Sequence, residues 1–467
     1  MMLLSQAAQV LGGRLIPFDG AQGRSRNVLF TTVSSDSRTI VPGDLFVALR
    51  GENFDGSEFV AGAAQSGAVA ALINAASYRG AESPCPLLLV EDTRLALGRL
   101  AAHWREQFAI PLVAVTGSNG KTTVKEMLAS ILRTAAGSTD AVLATQGNLN
   151  NDIGMPLMLL KLRAAHRYAV IEMGMNHPGE IDYLTHLARP DVAIINNAGS
   201  AHLAGLGSVE AVARAKGEIF AGLPENGIAV INADDAHAPL WRKLAGAHAV
   251  IEFGMERHVA VHAQWLPQGH GAHIEASTPQ GGFSANLQVP GVHNVRNALA
   301  ATAAALALHI PLHDIAAGLE KFSGVGSRLQ RKVALHGAVL IDDSYNANPA
   351  SVHAALKVLA QASGRKILVL GDMGELGAAA VRLHNEIGAE ARRLGVNELL
   401  ALGELTAHTV HEFGAGARHF ERIEDLLAAL DKDLGAGSTV LVKGSRFMRM
   451  ERVVRYCTGQ EGTCCSH

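Results

Sequence analysis

One stretch constrains this chain more than any other. The apolar run at 112–115 reads as a buried strand, and it stops at Thr116, Gly117, Ser118, Asn119, Gly120, Lys121, Thr122 and Thr123. From Val124, apolar residues recur at Met127, Leu128, Ile131 and Leu132, the spacing of a helix with one face on a core. The loop therefore lies at a helix N-terminus, where unpaired N–H groups and the positive end of the dipole favour a phosphate. Gly117 and Gly120 let the backbone approach closely, Lys121 supplies a point charge, and the Thr122 hydroxyl is placed to meet Mg²⁺. Where the usual phosphate loop opens with Gly this chain has Val115, so the motif is a shortened variant. A glycine turn that binds nothing is the plainer alternative, but it explains neither the Gly-Lys-Thr run nor the order of strand, loop and helix.

Composition narrows the partners. At 467 residues the chain suggests about three domains. With 40 basic and 43 acidic side chains and a formal net charge of −3, it offers no electrostatic case for nucleic acid or an anionic membrane. The longest apolar tract, 298–308, is mostly alanine and interrupted by Thr302, which predicts a packed helix rather than a membrane span. The first residues lack a basic segment followed by a long apolar one, so a cytoplasmic protein is expected. Four cysteines make no disulfide framework; Cys85 stands alone, and Cys457, Cys464 and Cys465, with His467, read as a frayed tail without function.

The pattern is α/β throughout. Residues 1–108 show a helix at 7–11, strands at 28–33 and 44–49, and polar turns at Ser34, Asp36, Ser37 and Arg38 and at Asp55 and Gly56. From 109 to 326 strands and helices alternate as in a mostly parallel sheet. Strands at 168–173 and 192–196 deliver Glu172 and, through the loop that follows, His202 to the rim that carries the phosphate loop. Lys216, on a helix predicted over 208–220, would by itself be a solvated charge. Asn294 and Asn297, three apart at the head of the alanine-rich helix, either face the donor and acceptor edge of adenine or cap the helix. Residues 327–467 form a further α/β unit with strands at 338–342, 366–370, 398–402 and 438–442. No G-x-G-x-x-G follows its first strand, so a dinucleotide is not indicated.

Taken together, these loops resemble those of the Mur ligases, the ATP-dependent amide-forming enzymes of peptidoglycan precursor synthesis, along nearly the full chain. The resemblance is carried by residues 116–123, Asn148 to Asn151 with Gly154, Met155 and Pro156, Glu172, His202, Ala215 to Glu218, Gly291 to Asn297, Arg328 and 343–349. The loops at 343–349, at 371–377 with His384, and at 148–156 look like those of the members that add D-alanyl-D-alanine to UDP-N-acetylmuramoyl-tripeptide. The Asp-Asn-Pro-Arg motif of the members that add the third residue is absent. Folylpolyglutamate synthase shares the phosphate loop but not an N-terminal domain of this kind.

The resemblance implies three domains: a small α/β UDP-sugar-peptide-binding domain at 1–108, a central P-loop ATPase domain at 109–326 and a Rossmann-like domain at 327–467. It implies that Ser34, Asp36, Ser37, Arg38, Asp55 and Gly56 hold the uridine-diphosphate end, although the family's His after that last turn is Ser57 here. ATP would lie on residues 116–123, with Lys121 at its phosphates, Asn294 and Asn297 at adenine, and Arg328 and Asp343 approaching from the domain junction. Thr122, Glu172 and His202 would ligate Mg²⁺, and a carbamylated Lys216 would serve a second Mg²⁺. Lys121, Glu172, His202, Lys216 and Arg328 would carry catalysis, and Asn346, Asn348, Lys443 and Arg446 would receive the dipeptide. The expected protein is a monomeric cytoplasmic ligase that works through an acyl phosphate and closes its domains on small-molecule substrates. The alternatives are another Mur-type amide ligase and a P-loop switch ATPase.

Overall fold

The computed structural model describes residues 1–18, 27–51, 54–80, 82–200 and 203–460. Its strands form three main sheets in chain order. The first has five strands in the order Arg14–Ile16, Leu87–Val90, Ala70–Asn74, Asp44–Val47, Thr32–Ser34, parallel except for the first pair. The single strand expected over 28–33 is divided. Leu29–Phe30 pairs antiparallel with Met2–Leu3, Thr32–Ser34 joins the five-stranded sheet, and the Thr31 N–H between them is drawn to the Gly43 carbonyl.

The second sheet is the frame of the site. Its nine strands run Gly281–Leu287, Gly271–Thr278, Val261–Gln268, Ala249–Gly254, Ile228–Asn232, Val192–Ile195, Leu112–Thr116, Tyr168–Glu172, Val142–Ala144. All neighbours are parallel except the antiparallel meander at 261–287, which sequence reasoning did not foresee. Leu112–Thr116 is wholly buried and lies between two partners, with Glu172 opposite Val115 and Ile195 opposite Thr116. That register brings the carboxyl ends of the three strands level, so their loops open on one rim. The helix after the phosphate loop, Lys121–Ala136, starts three residues before its apolar periodicity, because the loop turns at Gly120 with φ 76°. Behind it packs Val292–Ala307, whose alanines are buried on every side.

The third sheet has six strands: Gln330–Val333, Val339–Asp343, Ser438–Lys443, Arg365–Gly371, Glu398–Leu402, Ala417–Phe420, of which only the first pairs antiparallel. Core continuity separates this unit from the rest. One apolar cluster runs from the first sheet through Leu97 and Leu100 of helix Thr93–Arg105 into Leu159, Ile181 and Leu184 of the central unit. The two clusters of the third sheet draw only on residues from 329 onward.

Cys457 corrects the reading of the C-terminal end. It is fully buried at the end of helix Glu451–Cys457 against the third sheet, because Val453, Val454 and Cys457 share one face of that helix. Cys464, Cys465 and His467 lie outside the described residues. Among the described residues no helix is long and apolar enough to cross a membrane, and the tract at 298–308 falls largely within the packed helix Val292–Ala307.

Candidate active site

The rim gathers around Thr122. Its Oγ1 donates to Glu172 Oε2 at 2.9 Å, and Glu172 Oε1 accepts from Asn150 Nδ2 at 2.8 Å. Strand pairing alone would leave the Glu172 N–H unpaired, and Thr145 Oγ1 accepts it at 2.9 Å. Glu172 is thus buried yet fully hydrogen-bonded, as a buried carboxylate must be. Arg328, from the start of the third unit, reaches across and donates from Nη2 to the same Thr122 oxygen at 2.9 Å. Its guanidinium lies 4.3 Å from the Tyr345 ring centroid, and Ser327 and Leu329 on either side hold positive φ of 57° and 52°.

Lys121 folds back so that Nζ donates to the Gly117 carbonyl at 2.7 Å. Burial lowers its pKa; Arg328 acts in the same direction, and Glu172 and Glu375 oppose it. Lys216 sits near the end of helix Val209–Gly217, buried rather than solvated, and no described group accepts from its ammonium. Burial first, and the Lys121 charge second, push its pKa well below the usual lysine range. The helix is held in that register at both ends. Ser208 Oγ accepts from the Ala211 N–H, and Glu218 accepts from the N–H groups of Gly179 and Asp182 at the start of helix Glu180–Ala188. At Gly217 a Cβ would come within 2.2 Å of Leu244 Cδ1, so a side chain there would have to displace the Leu244 terminus.

Four further expected residues make contacts within the protein. Asn294 and Asn297 share a face as expected, but their carboxamides serve the protein. Asn294 Nδ2 donates to the Pro290 carbonyl, Asn297 Nδ2 to Asn294 Oδ1, and Asn297 Oδ1 accepts from Asn196 Nδ2. A Cβ at Gly120 would meet Asn297 Oδ1 at 2.5 Å, so this pair props the phosphate loop from beneath. Lys443 is buried, with Nζ on Asp343 Oδ2 at 2.6 Å and on the Asn346 carbonyl at 2.9 Å. It therefore braces the 343–349 loop from inside rather than reaching outward to a dipeptide. Asp343 Oδ1 accepts from the Leu329 N–H, which anchors the backbone beside Arg328.

The remaining expected residues are dispersed. Asn346 is exposed, and its Oδ1 accepts from the Ala347 N–H; Arg446 meets Glu451 at 3.1 Å and lies 5.9 Å from the Tyr345 ring centroid. Asn348 touches the phosphate loop. In the first unit Asp36 receives the Arg38 guanidinium through two bonds, Ser34 Oγ accepts from the Asp36 N–H, and Ser37 opens the short turn Ser37–Thr39. Asp55 accepts from Ser77 Oγ and the Ser57 N–H, and Gly56 sits where a Cβ would lie 2.5 Å from the Leu49 carbonyl oxygen. His202 lies outside the described residues.

Sequence reasoning assigned no role to Asn150, Thr145, Asn196 and Asn197. The Asn196-Asn197 doublet at the end of the strand predicted over 192–196 was the available signal, since polar side chains there fall on the ligand rim. The donor pair suits a hard divalent cation: a hydroxyl and a carboxylate oxygen lie 2.9 Å apart. Among the described residues no three His, Cys, Asp or Glu side chains converge as a metal cluster.

Comparison with known proteins agrees with this architecture. Residues 29–105 match the Mur ligase family catalytic domain, 115–305 the Mur ligase middle domain, and 327–446 the Mur ligase glutamate ligase domain. The UDP-N-acetylmuramoyl-tripeptide--D-alanyl-D-alanine ligase of Escherichia coli is 41% identical over 468 residues, covering 99% of both chains. A crystal structure of MurF from Acinetobacter baumannii superposes with a TM-score of 0.87 at 38% identity over 96% of this chain and 97% of that one. The MurF ligase of Thermotoga maritima in complex with ADP gives 0.80 at 28% identity over 92% of this chain and 97% of that one.

Proposed function

The chain belongs to the Mur ligase family, and we propose that it joins D-alanyl-D-alanine to UDP-N-acetylmuramoyl-tripeptide at the expense of ATP, giving the pentapeptide precursor of peptidoglycan. The observation that carries the reading is the meeting at Thr122 Oγ1 of Glu172 from the central sheet and Arg328 from the third unit. That arrangement sets a phosphate loop, a hydroxyl–carboxylate pair and a side chain of the third unit around one point, as ATP-driven acyl transfer needs.

The chemistry follows from a charge problem. The peptide's terminal carboxylate is a poor acyl donor, because oxide would have to leave. Its oxygen attacks the γ-phosphorus, the bond to the β,γ-bridging oxygen breaks, and ADP leaves. The amine of the dipeptide then attacks the acyl-phosphate carbon, the C–O bond to phosphate breaks, and the nitrogen gives up a proton as the amide forms. Both transfers pass through anionic arrangements, which positioned cations and backbone N–H groups stabilise.

Lys121 swings from the Gly117 carbonyl to the phosphates, and the N-terminus of Lys121–Ala136 receives their oxygens. Arg328 shifts from Thr122 to the transferring group. Thr122 and Glu172, together with His202, would hold Mg²⁺, which would neutralise phosphate charge. Lys216, whose lowered pKa favours the neutral amine, would take up CO₂ as a carbamate, and that group would hold a second Mg²⁺ or orient Lys121. Ser34, Asp36, Ser37, Arg38, Asp55 and Gly56 take the uridine-diphosphate end. Asn346 and Arg446, exposed at the edge of the third unit, take the dipeptide. Nucleotide-linked substrates and ATP are supplied inside the cell, so the enzyme works in the cytoplasm, as a monomer. Phosphate release from ATP is expected only when the UDP-muramoyl-tripeptide and D-alanyl-D-alanine are both present. Rapid release by the protein alone would favour a switch ATPase instead.

A further inference from the structure

The Asn119 peptide at the centre of the phosphate loop is gripped on three sides. Its N–H donates to Asn197 Oδ1 at 2.8 Å, and its carbonyl accepts from Asn196 Nδ2 at 2.9 Å and Asn197 Nδ2 at 3.0 Å. The central unit thus consumes the whole Asn119 peptide and leaves the side chain to another partner. That partner comes from the third unit: Asn348 Nδ2 donates to Asn119 Oδ1 at 2.8 Å, 229 residues along the chain.

The orientation of the Asn348 carboxamide is not free. Asn348 caps helix Pro349–Ala360; its Oδ1 accepts from the Ser351 N–H at 2.9 Å, and its own N–H donates to Ser351 Oγ at 3.0 Å. With the oxygen committed to the helix, only Nδ2 can face the phosphate loop. One side chain therefore ties the start of a helix in the third unit to the residue that shapes the nucleotide loop. Among the described residues no apolar core cluster spans the boundary between them, so polar contacts of this kind weigh heavily in how the third unit seats.

We propose that Asn348 is a positioning residue through which seating of the third unit and the nucleotide-binding conformation of the phosphate loop stabilise each other, by way of Asn119. The inference takes from the proposed function only that the loop binds ATP. It does not depend on the identity of the acceptor. Reciprocity is required: whatever closure adds to nucleotide affinity, nucleotide adds to closure.

The test uses the full chain as wild type, Asn348→Ser, Asn119→Ala and the double variant. Serine keeps a helix-capping oxygen but is too short to span to Asn119, so Asn348→Ser is expected to melt within a few degrees of wild type. Mg·ADP affinity is read by calorimetry, and closure by the fall in radius of gyration in X-ray scattering when a non-hydrolysable ATP analogue is added. Each single variant is expected to bind ADP about fivefold more weakly, the worth of one neutral hydrogen bond. The double variant is expected to be no weaker than either single, and all three to compact less than wild type. Losses that multiply in the double variant, or wild-type affinity and compaction in Asn348→Ser, would overturn the proposal. Because these readouts need no acceptor, a ligase assay that failed with D-alanyl-D-alanine would refute the proposed function and leave this result standing.

Discussion

Arg328 Nη2 lies 2.9 Å from Thr122 Oγ1, so the third unit places a permanent cation on the hydroxyl expected to meet Mg²⁺. Ser327 and Leu329 both adopt left-handed backbone to set that arm, a conformation non-glycine residues hold only under constraint. Arg328→Ala is expected to lower kcat by about a hundredfold, the usual worth of one donor aimed at developing charge. Arg328→Lys should recover little, because a lysine cannot both stack on Tyr345 and fork toward two oxygens. Steady-state kinetics with saturating substrates check both; kcat within threefold of wild type for the alanine variant would remove Arg328 from the mechanism.

Lys216 has no described acceptor and a pKa pushed far down by burial and by Lys121, which suits an amine that must be neutral to take up CO₂. Lys216→Ala is expected to lose at least about a hundredfold in kcat. Millimolar acetate should restore part of that activity by lending the vacated space a carboxylate. Wild-type activity in the alanine variant, assayed in CO₂-depleted buffer, would rule the carbamate out.

His293, in the first turn of Val292–Ala307, has its pKa pushed down to about 4 by burial, with the charges of Lys443 and Arg296 adding to it. The folded state then binds a proton less readily than the unfolded state, whose histidine titrates near 6.5. Stability from this group is present above about 6.5 and is lost as pH falls toward about 4, by at most about 1.4 kcal/mol per pH unit. Melting temperatures across that window should fall more steeply for wild type than for His293→Gln. Parallel curves would contradict the assignment.

Burial raises the Cys85 thiol to about 11 and the Cys457 thiol to about 12. At pH 8 roughly one molecule in a thousand or fewer carries a thiolate at either position. Brief iodoacetamide treatment of the native protein should leave both unmodified by peptide mass spectrometry, while the same treatment in guanidinium labels both. Native labelling of Cys457 would mean that helix Glu451–Cys457 is not docked on its sheet.

Local signals carried much of the fold and the centre of the site. The strand, phosphate loop and helix at 112–136 were legible because sterics and periodicity act within a few residues there. Glu172 was legible because a strand end is a position on a known rim. What escaped was long-range pairing. No local pattern announces that Asn297 supports Gly120 through Asn196, or that Lys443 turns inward to Asp343; a carboxamide or an ammonium reads alike whether its partner is water, ligand or a loop a hundred residues away. The split of 28–33 into two ladders escaped for the same reason, since strand partners choose the break.

The unbroken apolar core beneath the first two units also bears on which unit could open at least cost. Prising those units apart would expose hydrocarbon to water at about 25 cal/mol for every Å². Lifting the third unit breaks hydrogen bonds such as Asn348 to Asn119 and Arg328 to Thr122, and water replaces each at little net loss. On the proposed function, with the acyl donor on the first unit and ATP on the second, their alignment would survive each opening, and only the acceptor's platform would have to travel. Product would then leave without dismantling the surface on which the next pair of substrates would meet.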